Sequence, residues 1–380
     1  MRERSMRDPS LDILRGMAVA IMILVDAVPD SAVTPSLLQH SPWEGITVAD
    51  LAFPGFVFTM GASAAFSVRR PYADWTGKIL RRTLLLFAIG LLINTVPELF
   101  HWILSEEGSA AMFYDRAVIH GRIPGILQRL ALTYAFGMIL ILWLKEDLRL
   151  ISCALCLLVL SSLGFHLYAP DAPFDKMHNI SQAVDLILPG ENHVYPYYGL
   201  PFDPEGLYGT LASTASMLFG VLAGRVLADS SFSSHKVRLL LLGGAALFLL
   251  GLLWSRIDLI GKPLWTAPFA LLNAGGAMLM LAFLVWTRKI FPKAENLLHP
   301  FYAFGRNPLF FFLISNVALI FLFTLRIPSE DINAYQWLWL HTTRGIISLP
   351  FSAALHMFLW CLLWVPLAEF LCRKNIIIKL

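Results

Sequence analysis

Apolar residues gather into ten long stretches of this 380-residue chain, at about 11–29, 47–68, 80–99, 123–144, 150–168, 207–227, 237–255, 264–287, 304–325 and 349–371. Each approaches the ~20 residues with which a helix crosses a ~30 Å hydrocarbon core. Most connections between them are short; the longer ones fall at about 29–46, 169–206 and 326–348. The pattern predicts an all-α, polytopic integral membrane bundle of about ten transmembrane helices, forming one domain over residues 1–380. No internal repeat of the kind built into many secondary transporters is visible.

Composition agrees: 57% of the residues are hydrophobic and 14% charged, where a soluble domain carries roughly a quarter charged residues. Basic residues then orient the bundle. With the N-terminus inside, nineteen Lys and Arg fall on the cytoplasmic side, among them Arg2, Arg4, Arg7, Arg69, Arg70, Lys78, Arg81, Arg82 and Lys379. Seven fall opposite: Arg116, Arg122, Lys176, Arg256, Lys262, Arg326 and Arg344. This asymmetry predicts both termini in the cytoplasm and all three longer loops outside. The basic opening "MRERSMRDPS" precedes a run without a small-residue cleavage site, which predicts a retained first helix rather than a signal peptide. A net charge of +3 without a basic run gives no reason to expect nucleic acid. Cys153 and Cys156 form a C-x-x-C inside a hydrophobic run, where packing is the better reading than redox chemistry.

Ionisable groups inside such runs are expensive and therefore candidates for function. Arg15 and Asp26 stand on the first run, Asp50 opens the second, Arg129 follows Gln128, and Arg306 precedes Asn307. For the arginines, snorkelling or pairing is the competing reading. In "GENHVYPYYGLPFDPEGLYGT", His193, a tyrosine cluster, Asp203 and Glu205 precede a helix expected from about Leu207. Helix capping accounts for one of those acids; carboxylates that bind hydroxyls or ammonium, beside rings that stack on a sugar, account for the set.

The stretch "LLQHSPWEGITVADLAFPGF" groups His40, Trp43, Glu44 and Asp50. A lone loop histidine is usually just solvated, and no other histidine in the chain has comparable company. An imidazole with a carboxylate partner is what acyl transfer requires: the ring takes a proton from the attacking group, and the carboxylate fixes its tautomer. There is no H-E-x-x-H, metal-spaced Cys/His set, G-x-S-x-G elbow or P-loop, so metal and nucleoside-triphosphate chemistry are disfavoured.

Taken together, "SLDILRGMAVAIMILVD", "HSPWEGITVADLAFPGFVFTMG", "RIPGILQRLALTY", "FDPEGLYGT…FGVLAG" and "GRNPLFFF" resemble successive blocks of the heparan-α-glucosaminide N-acetyltransferase family, from about residue 9 to the last run. The chain looks like a bacterial, NagX-like relative. The resemblance implies an acetyltransferase that carries an acetyl group from cytosolic acetyl-CoA across the membrane to the amine of an amino sugar such as glucosamine. It maps the active-site histidine onto His40 and the following aspartate onto Asp50. Asp26, the third catalytic candidate with His40 and Asp50, stands where the family commonly has Asn, which replaces a donor-and-acceptor amide by an anion. Within that picture Arg15, Arg81, Arg82, Arg129, Arg306 and Asn307 are the candidates for holding acetyl-CoA. Trp43, Glu44, His193, Asp203 and Glu205 are those for the acceptor. The implied setting is a bacterial inner membrane, with the lipid bilayer, an amino-sugar acceptor and a candidate second copy as partners, and no metal. A secondary transporter for an amino sugar and a glycan O-acyltransferase remain the alternatives.

Overall fold

A computed structural model describes residues 8–69, 74–105, 108–229, 235–328 and 330–378; Arg2, Arg4, Arg7, Arg70 and Lys379 lie outside them. The fold is helical nearly throughout. Helix α1 (Pro9–Asp26) leads through a long loop to α2 (Ala52–Val68), followed by α3 (Trp75–Leu104), the short α4 (Ala110–Tyr114), α5 (Ile126–Trp143) and α6 (Asp147–Tyr168). After the short α7 (Ile180–Asp185) come α8 (Thr210–Ala228), α9 (Lys236–Trp254), α10 (Ala267–Ile290), α11 (Ala294–Arg306) and α12 (Pro308–Thr324). The chain closes with α13 (Ala334–Thr342), α14 (Leu349–Leu363) and α15 (Val365–Arg373). Strands among the described residues are confined to two small antiparallel hairpins, Pro196–Tyr197 with Leu200–Pro201 and Arg326–Ile327 with Ile332–Asn333.

Eight helices among the described residues are long and apolar enough to cross a membrane, or nine if α11 and α12 form one bent span. The predicted run at 304–325 is therefore not one straight helix: α11 and α12 meet at 81°. Pro308 explains the corner, since its ring supplies no N–H and drives the preceding residue out of helical conformation, here Asn307 at φ −133°. Helix α1 falls outside the eight because its 18 residues include Asp12, Arg15 and Asp26. Its start is well specified nonetheless: Asp8 accepts the Ser10 N–H at 2.9 Å, and Pro9 takes the first helical position, where no N–H is needed.

Helices α2, α8 and α10 form the centre, α1 and α5 pack against them, and α3 and α9 lie at the periphery. Burial shows the layering: 72% of the apolar window of α8 is buried, against 11% for α3. Small residues set the closest approaches. A Cβ on Gly16 of α1 would lie 1.7 Å from the Phe301 carbonyl of α11, so only glycine fits where those backbones touch.

Candidate functional site

The loop before α2 folds back on the start of that helix, and Asp50 is its organising residue. Asp50 sits in a helical turn at Ala49–Leu51, fully buried. Its Oδ2 accepts the backbone N–H groups of Ser41 (3.1 Å) and Thr47 (3.0 Å). The Thr47 hydroxyl, with one proton to give, lies 3.0 Å from Oδ2 and 2.8 Å from the Gln39 carbonyl. The other oxygen, Oδ1, meets His40 Nδ1 at 2.9 Å. A buried carboxylate bounded in this way leaves the imidazole one sensible arrangement, with Nδ1–H donating to Asp50 and the Nε2 lone pair outward. The His40 side chain is 42% exposed, so that lone pair faces an accessible space.

Two further segments close on this loop. Gly45, at φ 108°, takes a backbone conformation suited to glycine, and its N–H donates to the Ile260 carbonyl at 2.8 Å. The tyrosine hairpin is strapped across from the other side by Tyr197, whose hydroxyl donates to the Pro42 carbonyl at 2.7 Å. The segment after α9 brings Lys262, with Nζ 3.1 Å from His40 Nδ1. Since Nδ1 already gives its proton to Asp50, it cannot also accept from the ammonium; the contact is one of proximity, not a second bond. Asp26, at the end of α1, accepts the Asn316 amide at 3.0 Å and lies within Coulombic range of His40, Lys262 and Glu205.

Beside this centre lies an ionic clamp. Arg122 donates through Nε and Nη2 to Asp203 (2.8 and 2.6 Å) and through Nη2 to Glu205 (2.7 Å). Asp203 also accepts the backbone N–H groups of Tyr195 and Glu205, so both its oxygens are occupied. Burial works against charge on Arg122, but the two carboxylates hold the guanidinium well above its usual value. Burial likewise favours a neutral Glu205, yet Arg122, Lys262 and Arg129 keep its carboxyl below the ordinary range. Nearby Asp185 accepts the Leu207 N–H at 2.8 Å. No cation among the described residues pairs with it, and burial pushes its carboxyl up to about 7.

The expected acceptor residues therefore divide. Trp43 is buried, donates Nε1–H to the Phe174 carbonyl at 2.9 Å and packs edge-on to Phe202 at 5.2 Å, so it is a post of the loop rather than a free binding face. Glu44 is exposed, and its carbonyl accepts the Ser41 hydroxyl. His193 ties its Nδ1 to the Gly121 carbonyl at 2.8 Å and supports the Arg122 segment. Asp203, expected among the acceptor residues, meets Arg122 and two N–H groups with its two oxygens and so forms part of the clamp. Glu205 shares the clamp and reaches toward the Lys262 charge.

At the other end of α1 and α2 lies a cleft of about 570 Å³, walled by Arg15, Ser63, Ser67, Trp75, Lys78 and Arg82, with Met60, Tyr134 and Met138 among its apolar residues. Arg15 reaches the Ser63 hydroxyl and the Thr59 carbonyl, while the Arg82 guanidinium lies 4.5 Å from the Tyr134 ring centre. Such a wall suits a phosphorylated ligand with a slender apolar arm. Of the residues expected to bind the donor, Arg15 and Arg82 line this cleft. Arg81 does not, since consecutive helical residues point about 100° apart. Arg129, buried in α5, donates to the Gly206 carbonyl and stacks 5.3 Å from the Trp265 ring centre, at the His40 end. Asn307 uses both halves of its amide on the Ile376 carbonyl and the Ile378 N–H, which makes it an anchor for the C-terminal segment. Arg306 faces Tyr302 and does not line the cleft. Arg122, Lys262, Asp185, Trp75 and Lys78 are the participants that the sequence did not single out.

Comparison with known proteins bears on the same region. Residues 7–179 match the family model "Heparan-alpha-glucosaminide N-acetyltransferase, catalytic". The chain is 30% identical over 268 residues to the heparan-alpha-glucosaminide N-acetyltransferase of Homo sapiens, covering 57% of this chain and 38% of that protein. It is 29% identical over 267 residues to the protein of the same name from Mus musculus, with the same coverage. The chain thus spans well under half the length of the curated relatives it matches.

Proposed function

We propose, from the match of residues 7–179 to the heparan-α-glucosaminide N-acetyltransferase family model and the likeness to the human enzyme, that this chain is a transmembrane N-acetyltransferase. It moves an acetyl group from acetyl-CoA, held in the Arg15–Lys78–Arg82 cleft, to the amine of an amino sugar at His40. The observation that carries this reading is the His40–Asp50 pair: a buried carboxylate on Nδ1 at 2.9 Å, with Nε2 directed outward. The acceptor amine attacks the thioester carbonyl while Nε2 removes its proton, and Asp50 stabilises the imidazolium that forms. CoA leaves as the thiol once the imidazolium returns a proton to sulfur. Direct attack needs no acetyl-enzyme. A ping-pong route through acetyl-His40 would leave stable label on the protein when labelled acetyl-CoA is supplied without acceptor.

The excess of basic residues on the cleft side supports a cytoplasmic cleft, with the His40 end and the tyrosine hairpin facing the periplasm of a bacterial inner membrane. The test is acetyl transfer from labelled acetyl-CoA to glucosamine by the full chain in lipid, with mass spectrometry placing the acetyl on nitrogen or oxygen. His40→Ala should lower kcat by roughly 10²–10⁴-fold while the protein stays folded. Full activity in that variant would remove the base. No transfer by the wild type, with counterflow of unmodified sugar, would make the protein a transporter.

A further inference from the structure

Lys262 is set beside the reacting centre by its backbone. The segment from Asp258 to Thr266 is fastened repeatedly: Asp258, 2% exposed, takes the His166 ring at 2.9 Å, and the Ile260 carbonyl takes the Gly45 N–H at 2.8 Å. The Gly261 N–H meets the Thr266 hydroxyl at 3.1 Å, and the Lys262 carbonyl takes the Trp265 N–H at 3.0 Å. Trp265 itself is wholly buried and held at φ 49°, a left-handed conformation that a bulky side chain adopts only when its surroundings impose it. The constrained segment fixes where the lysine arm starts, and its ammonium lies next to His40.

What the ammonium does there follows from its partners. It carries three N–H donors and lies 3.1 Å from an Nδ1 already committed to Asp50. No carboxylate among the described residues comes within ion-pair distance of it, although Asp26, Asp50 and Glu205 all lie within its Coulombic range. Lys262 is thus a cation with donors available beside the base, in a site where the neighbouring Arg122 is engaged by Asp203 and Glu205 and where Asp26, Asp50 and Glu205 act on Lys262 only at a distance. The chemistry proposed above creates one new anion beside the Nε2 edge of the same ring, the oxygen of the tetrahedral intermediate, and the long lysine arm that meets the Nδ1 edge is the cation nearest His40 among the described residues.

Resting on the acetyl-transfer reading, we propose that Lys262 is a catalytic residue that stabilises this oxyanion. As the acceptor nitrogen forms its bond to the thioester carbon, the carbonyl π pair moves onto oxygen, beside the Lys262 ammonium. When that pair returns, the C–S bond breaks, and the sulfur takes the proton held by His40. Lys262 gives up no proton in the cycle and so remains charged throughout.

The test uses the full chain in lipid, with acetyl-CoA and glucosamine. Lys262→Met, which keeps the length and removes the charge, should lower kcat by roughly 10²–10³-fold. The KM values for both substrates should stay within about threefold, because the contact forms only in the transition state. Lys262→Arg should recover part of the loss, and trimethylammonium, which cannot be acetylated to a stable amide, should raise the kcat of Lys262→Ala in a saturable way. Lys262→Gln supplies a second uncharged variant should the Met protein not fold. A kcat within threefold of wild type in a folded uncharged variant overturns the proposal. So does a loss that neither Arg nor trimethylammonium relieves, since that pattern marks a structural role. Failure of the wild type to transfer acetyl would instead defeat the underlying reading.

Discussion

At the His40 end, ionisable side chains are matched across loops, Asp50 with His40 and Arg122 with Asp203 and Glu205, whereas at the opposite cleft the matching is local: Arg15 meets Asp12 one helical turn away at 3.1 Å, and the Lys78 ammonium lies 4.5 Å from the Trp75 ring centre. The materials differ too. The first end is assembled from loops far apart in sequence, with Arg122 and Asp203 81 positions apart. The second is walled by helices, α1, α2, α3, α5 and the start of α12. Paired charges in a buried setting fix geometry, because moving either partner leaves the other uncompensated. The cleft carries the long cationic side chains Arg15, Lys78 and Arg82 around about 570 Å³ of space, a size and charge suited to a phosphorylated ligand. One end is built to hold atoms still, the other to admit something.

The comparison breaks most visibly if the clamp is opened. Arg122→Gln leaves Asp203 and Glu205 buried without their cation, which should destabilise the protein by about 3–5 kcal/mol. A large fall in unfolding temperature in detergent should accompany loss of acetyl transfer; an unchanged temperature would mean that the clamp does not hold the outer loops. At the cleft, Arg82→Ala should raise the KM for acetyl-CoA roughly 10- to 100-fold, in proportion to one charge-assisted phosphate contact. Arg81→Ala, facing away, should leave it within about twofold, and equal effects from the two would dissolve the cleft assignment.

The smallest effect concerns Asp185. Its folded carboxyl, pushed up to about 7, holds a proton more tightly than an unfolded one at 3.8. The stability from this group is therefore present at low pH and lost as pH rises from about 4 to 7. Asp185→Asn stays neutral and can still accept the Leu207 N–H, so above pH 7 it should be the more stable protein by on the order of 1 kcal/mol. Melting curves of the two proteins across pH 4–8 should separate as pH rises; parallel curves would place the carboxyl in water rather than in the packed loop.

Much of this was legible in the chain. The apolar runs located the helices, and the block from His40 to Asp50 is close enough in sequence for the pair to be read as a unit. Three things resisted. Helical phase decides that Arg82 lines the cleft and Arg81 does not, and a run of apolar residues around two adjacent arginines gives no phase. Arg129 sits in a predicted span, but whether a guanidinium faces one end or the other depends on which carbonyl reaches it. Lys262 in "IGKPLW" is one exposed-looking lysine among several, and only the folded segment shows where it ends. For Arg122 a usable signal existed: charge sorting put it on the same side as Asp203 and Glu205, and membrane-facing acids seldom go without a cation.

Helix α1 carries Arg15 at one site and Asp26 at the other, eleven residues apart, or about 16 Å along a helix. Its contact with α11 at Gly16 leaves no slack for sliding, and Tyr335 grips its far end through the Ala27 carbonyl at 2.7 Å. The helix is in effect a gauge block between the two ends. In the proposed reaction a donor is measured against it: one whose anchored phosphates and reactive carbonyl are too close together stops short of the base, and one too long must buckle. Length, as well as chemistry, becomes a criterion of admission.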